Sequence, residues 1–319
     1  MTPGTDHFDG RRFFNPNGAK GQPFRMVLRM LRTPRARWPA RIAVEPRRPP
    51  TPKQGEVVIT FIGHATFLIQ AGATSLLLDP VYAERASPLW FAGPRRVRAP
   101  GVRFDELPEI SLVLLSHNHY DHCDLRTLHA LERRFPLRAV TPLGNGRLLR
   151  SAGIRHIEEI DWWQRAATTP LPITLVPAQH FSARHLFDRN LALWGGFLIE
   201  ARGRRILFAG DTGYGPHFRE IAARLGPIDL ALLPIGAYEP RWFMKDIHMN
   251  PAEAVQAHVD LAAQRSIGMH FGTFQLTPEG IDEPVRKLAQ VLAERGVPAE
   301  KFQTLAVGES VSVVMTTGA

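Results

Sequence analysis

The sequence predicts an α/β domain, on two observations. Short apolar runs of strand length recur between residues 56 and 236, and several end in histidine or aspartate. Among and after them lie two segments with helix-start chemistry, at Asp124 and at Asn250-Pro251-Ala252-Glu253.

Taken in order, Glu56 to Ile62 and Phe67-Leu68-Ile69 read as strands flanking a Gly63-His64 turn. His64 is there either a structural histidine or one that looks into a site. Thr74-Ser75-Leu76-Leu77-Leu78-Asp79-Pro80 is a third strand, ended by Pro80. Ser87 to Pro100, rich in Pro, Trp and Arg, reads as a loop at the rim of a pocket. Leu112 to Leu115 is a buried strand, followed at once by His117, His119, Asp121 and His122. In an extended stretch His117 and His119 point the same way; Asp121 and His122 come where the chain must turn. Neutral imidazoles with a carboxylate suit zinc and other borderline transition metals.

Asp124 caps a helix through Leu125, Leu128, Leu131 and Phe135, which Pro136 stops. Cys123, the single cysteine, excludes an internal disulfide, fits a reducing compartment and reads as a small buried residue. Ile173 to Gln179 is a strand ending in His180, and Phe197 to Ile199 follows a turn. Arg204 to Gly213 is an apolar strand running into Gly210-Asp211, where glycine lets backbones approach closely. Asp229 to Gly236 is another strand. The helix opened by Asn250 should carry Ala254, Val255, His258 and Ala262 on one face, with His258 belonging to the helix surface and not to a ligand set. His270 follows one more short apolar stretch.

Five histidines and two aspartates therefore sit at or near strand ends. The natural partition puts His117, His119 and His180 on one metal and Asp121, His122 and His270 on another, with Asp211 bridging. Two such ions share a water and lower its pKa toward neutrality. Two zinc ions are expected; the absence of a cysteine ligand keeps manganese and iron chemically open. No Ser/His/Asp or Cys/His nucleophile set stands out, nor any Walker or GxGxxG fingerprint.

The 319 residues, 44% of them hydrophobic, can bury a substantial core, and no run reaches the roughly 18–20 apolar residues of a membrane span. Arg11-Arg12-Phe13-Phe14 resembles a twin-arginine signal, but no apolar stretch follows it. Residues 1–53 hold ten Arg and two Lys against Asp6, Asp9 and Glu45, so the whole +9 excess lies in this arm. It precedes an expected hydrolase domain at 54–319. Phe24 to Arg32 alternates bulky apolar and basic residues, as an interfacial helix would. Pro34, Pro39, Pro46, Pro49, Pro50 and Pro52 then force an extended path. Residues 24–41 are expected to meet an anionic membrane surface, the alternative being a wrapping segment with solvated arginines.

His117-x-His119-x-Asp121-His122 resembles the signature of the metallo-β-lactamase superfamily, which implies a four-layer αββα sandwich with the metals at one edge of two packed sheets. Further stretches resemble the N-acyl-phosphatidylethanolamine-hydrolysing phospholipase D family. They are His7 to Pro16, His117 to Asp124, Phe208 to Tyr214, Leu233 to Lys245 with His248, Pro251 and Glu253-Ala254-Val255, Met269 to Phe274, and Gly308-Glu309-Ser310. That resemblance implies a zinc phosphodiesterase that releases an N-acylethanolamine and phosphatidic acid, with His248 acting at the substrate phosphate. Asp121 and His248 are the expected catalytic residues. A phospholipid or small phosphodiester is the expected substrate, in the cytoplasm or at the inner face of the membrane. No nucleic-acid partner is expected, and a homodimer stays open. The alternatives are a lactonase of the ascorbate-6-phosphate lactonase-like group, a nuclease, and a non-catalytic membrane-associated scaffold, which predicts degenerate ligands.

Overall fold

In β1 (Glu56–Gly63) every residue past the first is buried, and β2 (Thr66–Ala71) is buried throughout. Strands this apolar must be covered on both faces. The computed structural model, which describes residues 5–18, 24–185 and 187–314, shows what covers them. β1, β2 and β3 (Thr74–Leu78) form an antiparallel meander, and β4 (Leu112–Leu114), β5 (Arg138–Pro142) and β6 (His156–Ile160) extend it in parallel. A second sheet repeats the scheme. β7 (Ile173–Val176), β8 (Gly196–Ala201) and β9 (Arg204–Phe208) are antiparallel, and β10 (Leu230–Pro234), β11 (Arg265–Met269) and β12 (Phe302–Thr304) add in parallel. β13 (Ser310–Val314) returns to the first sheet as the antiparallel partner of β1.

Alternation along the strands builds the layers. Phe61, Phe67, Leu78 and Leu114 face Phe197, Ile199, Phe208 and Leu232 between the sheets. The intervening Leu68, Leu77 and Val113 pack outward on Leu128, Leu131 and Leu149 of two helices, α2 (Leu125–Arg134) and α3 (Gly146–Ser151); the one α-helix before them among the described residues is α1 (Phe24–Leu31). On the second sheet Leu207, Ala231 and Leu233 pack on α4 (His217–Leu225), α6 (Pro251–Asp260) and α7 (Glu283–Glu294), with the short α5 (Arg241–Met244) leading into α6. The result is the expected αββα sandwich.

Asp124 caps α2 by accepting from the Arg126 N–H, and Asn250 and Glu253 form a reciprocal capping box on α6. Three local expectations change. Phe135 is the extended cap of α2 and not a helical residue. β7 stops at Val176, before Pro177, so His180 lies beyond the strand, one residue past the isolated bridge of Gln179 with Gly213. α6 ends at Asp260, which leaves Ala262 exposed, while His258 is buried and hydrogen-bonds Ser266 Oγ at 2.8 Å.

The arm wraps the domain. His7 to Phe14 folds as a hairpin, and the proline-rich stretch runs extended along 97–101 and 272–279, with Ile42 N bonded to Val97 O at 2.7 Å and Ala36 N to Pro278 O at 2.8 Å. Residues 1–4 and 19–23 of the arm, and the side chains of Phe24, Val27, Leu28 and Leu31, lie outside the described residues, and with them most of the apolar face expected of 24–32.

Candidate metal centre

The strand ends of both sheets bring the seven expected ligand residues to one locus. His117 Nε2 lies 2.9 Å from His119 Nδ1, and His180 Nε2 lies 3.2 Å from that same atom. Asp121 Oδ2 lies 3.2 Å from His270 Nε2 and 3.6 Å from His122 Nε2. Asp211 Oδ2 stands between the groups, 3.1 Å from both His122 Nε2 and His270 Nε2, 3.8 Å from His180 Nε2 and 4.0 Å from His117 Nε2. Six of the seven are buried; His119 alone is half-buried, so the centre opens at His119.

The donors suit cations. His122 Nε2 sits close to the Asp211 carboxylate yet makes no aligned hydrogen bond, and Asp211 Oδ1, His270 Nδ1 and His248 Nδ1 are also buried without a partner among the described residues. Buried polar atoms are normally satisfied. His119 Nδ1 lies 2.9 and 3.2 Å from the His117 and His180 nitrogens, close to the ~3.3 Å edge of a tetrahedron with metal–nitrogen bonds near 2.0–2.1 Å. Charge points the same way. Burial holds the pKa of His117 well below the ordinary value, that of His119 at about 3 and that of His180 at about 4, so their nitrogens keep lone pairs at neutral pH. Burial alone would push Asp121 and Asp211 up, but the surrounding imidazoles hold both well below the usual carboxylate range. Burial is likewise outweighed at His122, which is raised, and at His270, raised to about 9, by the Asp211 and Asp121 carboxylates. Protons there occupy the lone pairs a cation would use.

Asp79, just past β3, orients this set, a role that its place at a strand end does not announce. Its carboxylate accepts from the Ser116 N–H at 2.7 Å, the Ser116 hydroxyl at 2.5 Å and His122 Nδ1–H at 2.7 Å. With its proton committed to Asp79, Ser116 Oγ accepts from His117 Nδ1–H at 2.9 Å. One buried carboxylate thus turns the Nε2 lone pairs of both His117 and His122 into the centre. His180 Nδ1–H donates to the Ile247 carbonyl at 2.9 Å, with the same result. His64, left open by the sequence, joins the centre: its Nε2 lies 3.0 Å from Asp121 Oδ2.

His64, Asp79 and His270 have φ of 58°, 39° and 62°, in the left-handed region that costs a non-glycine residue on the order of 1–3 kcal/mol. Their packing must hold them there: His270 N bonds His64 O at 2.8 Å, joining two of these turns back to back. Gly236 has to be glycine, because a Cβ there would collide with the His270 carbonyl.

His248 completes the floor. Its Nε2 is 3.8 Å from Asp211 Oδ2, and burial keeps the ring neutral. Arg241 holds its backbone: Nη1 donates to the His248 carbonyl at 2.8 Å, while Nη2 makes a fork to Glu253 at 2.9 and 2.7 Å. Cys123 is buried with its thiol pushed up to about 12, an inert packing residue. The Ser87–Trp90 loop borders a cavity of about 650 Å³ beside Tyr120 and Arg184, which none of the seven ligand candidates lines.

A family model described as a β-lactamase superfamily domain matches residues 74–271. The N-acyl-phosphatidylethanolamine-hydrolyzing phospholipase D 1 of Caenorhabditis elegans is 38% identical over 263 residues, covering 78% of this chain and 74% of that one. The mitochondrial N-acyl-phosphatidylethanolamine-hydrolyzing phospholipase D of Saccharomyces cerevisiae is 35% identical over 244 residues, 74% of this chain but only 52% of the yeast protein. Among solved structures, the isothiocyanate hydrolase from Delia radicum gut bacteria superposes with a TM-score of 0.65 at 23% identity, over 81% of this chain and 100% of that one.

Proposed function

Since the chain belongs to the β-lactamase superfamily and is a metal-dependent hydrolase, we propose that it is a phosphodiesterase of phospholipase D type, acting on N-acyl-phosphatidylethanolamine-like lipids. The observation that carries this reading is the likeness to two enzymes named for that reaction, in a chain that gathers the seven expected ligand residues at one locus. His117, His119 and His180 would hold one ion and Asp121, His122 and His270 the other, with Asp211 between them; zinc is the expected metal. When bound, two such ions polarise a phosphoryl oxygen and acidify a water.

The protein's own groups do the rest. Asp79 and the Ile247 carbonyl keep the imidazoles in the tautomer that presents Nε2. Asp121 is ionised, with Oδ2 held by His64 Nε2, which leaves its other oxygen to take a proton from the attacking water. His248, neutral and with a bare Nδ1, hydrogen-bonds the oxygen that leaves with the ethanolamine, and the proton that oxygen needs is the one Asp121 takes from the water.

The membrane contact belongs to the same proposal. Arg25, Arg29, Arg32, Arg35, Arg37 and Arg41 are exposed along the arm, and Arg29 lies 4.5 Å over the ring of Trp242, on the helix leading to His248. Among the described residues no helix is long and apolar enough to cross a membrane. The test is to give metal-loaded protein N-acyl-phosphatidylethanolamine in anionic and neutral vesicles, with a chromogenic lactone alongside. N-acylethanolamine and phosphatidic acid should form by mass spectrometry, faster on anionic vesicles. Opening of the lactone with an untouched lipid would defeat the proposal.

A further inference from the structure

The half-buried His119 marks where a substrate must enter, and the wall at that point ends in a cation. The ring of Phe181 meets His119 edge-on with centroids 4.6 Å apart, and the guanidinium of Arg189 lies over the Phe181 ring, 4.1 Å from its centroid. The other arginines around this wall are committed. Arg184 donates to the carbonyls of Asn118 and Cys123, Arg12 to those of Phe187 and Arg189, and Arg241 to Glu253. Among the described residues no carboxylate lies within ion-pair distance of Arg189, and its side chain donates no hydrogen bond. Crowding by the protein lowers its pKa with no neighbouring anion to offset it.

The backbone under it is nonetheless fixed. Asn190 N bonds Ser182 O at 2.8 Å, Phe13 N bonds Asn190 O at 2.9 Å, and Asp188 accepts from the Arg184 and His185 N–H groups at 3.0 and 2.8 Å. A guanidinium on a held loop, stacked on an aromatic ring and with its donors unused, presents a planar fork that matches a phosphate or carboxylate.

We infer that Arg189 is an anion subsite at the mouth of the metal centre, binding the non-bridging oxygens of a phosphoester and selecting anionic over neutral substrates. This rests on the phosphodiesterase reading for its substrate, but the binding of a phosphate oxyanion can be measured apart from turnover. The source of that oxyanion, a lipid headgroup or a soluble ester, is separated by the choice of probe.

The experiment compares wild type, Arg189→Lys and Arg189→Gln, all metal-loaded and with metal content measured. Inorganic phosphate binding is read by calorimetry, and steady-state kinetics use bis-p-nitrophenyl phosphate, N-acyl-phosphatidylethanolamine vesicles and a neutral p-nitrophenyl ester. Losing a charge-assisted contact should weaken phosphate binding by about tenfold or more in Arg189→Gln, less in Arg189→Lys. KM for both phosphodiesters should rise more than kcat falls, with a smaller change on the neutral ester and unchanged metal content. A rise confined to vesicles would place the lipid headgroup on Arg189. Phosphate binding unchanged in Arg189→Gln, or equal losses on neutral and anionic substrates, would overturn the inference. If wild type cleaves no phosphodiester, the functional reading falls while the phosphate titration still decides Arg189.

Discussion

At the scale of single residues, Asp79 and Asp211 share one local grammar, an apolar strand running into a carboxylate, and do different work. Asp211 puts one oxygen between the two groups of donors, whereas Asp79 stands behind the imidazoles, accepting a hydrogen bond from His122 directly and reaching His117 through the Ser116 hydroxyl. Asp211→Ala should therefore remove at least one metal and most activity while the fold survives, because the ligands sit at strand ends outside the packed layers. Asp79→Asn should keep both metals at saturation but weaken their affinity roughly 10–100-fold, the usual effect of losing a group that orients a ligand. Metal titration followed by circular dichroism separates the two; wild-type affinity in Asp79→Asn would remove the tautomer argument. The sequence made Asp211 legible because its glycine and neighbouring motif announced a site. Asp79 was not legible, since nothing in a strand end says whether its carboxylate faces an ion or the imidazole behind it.

At the scale of elements, the segment from α5 to α6 shows what local patterns reveal and what they hide. The capping box at Asn250 and Glu253 could be read directly, because both partners lie within one helical turn. That Glu253 also grips Arg241, and that Arg241 grips the carbonyl of His248, could not: the partners are twelve and seven residues apart across a turn whose path is set by packing on the second sheet. The fork makes α6 the anchor for His248. Arg241→Met should leave metal content unchanged and lower kcat by roughly 10²-fold, the scale expected when a reacting group shifts by about an ångström. Arg241→Lys should recover only part, because a lysine cannot span Glu253 and the His248 carbonyl with one rigid fork. Loss of metal in Arg241→Met would place His248 in the coordination sphere instead.

At the scale of the whole molecule, the alternating pattern of the strands made the layers readable, while the course of the arm depended on contacts the pattern does not encode. Its hairpin is latched by His7, whose Nε2 lies 2.7 Å from Asp161 and whose Nδ1 lies 2.6 Å from Asp6. Burial alone would lower the His7 pKa, but the two carboxylates outweigh it and raise the value; burial pushes Asp161 up, and His7 pulls it below its usual range. A raised histidine stabilises fully below about 6.5 and loses that contribution as pH rises through its folded pKa, while a lowered aspartate stabilises above about 3.9. Amide exchange protection of residues 7–14, corrected for intrinsic rate, should be greatest between about pH 4 and 6.5 and decline above that. His7→Ala should flatten the profile; a wild-type profile flat to alkaline pH would mean the hairpin is held by Phe13 and Trp162 packing alone. The pairing of β1 with β13 carries a consequence for biosynthesis. As the chain leaves the ribosome, the first strand of the domain keeps an open edge until the last strand emerges, and His270 arrives long after His117. A nascent chain stalled before β11 can therefore neither close its sheet nor assemble the second group of donors. Metal capture becomes a late event, completed only once β11 and His270 have emerged, and until β13 follows them the open edge of β1 is exposed to pairing with a neighbour.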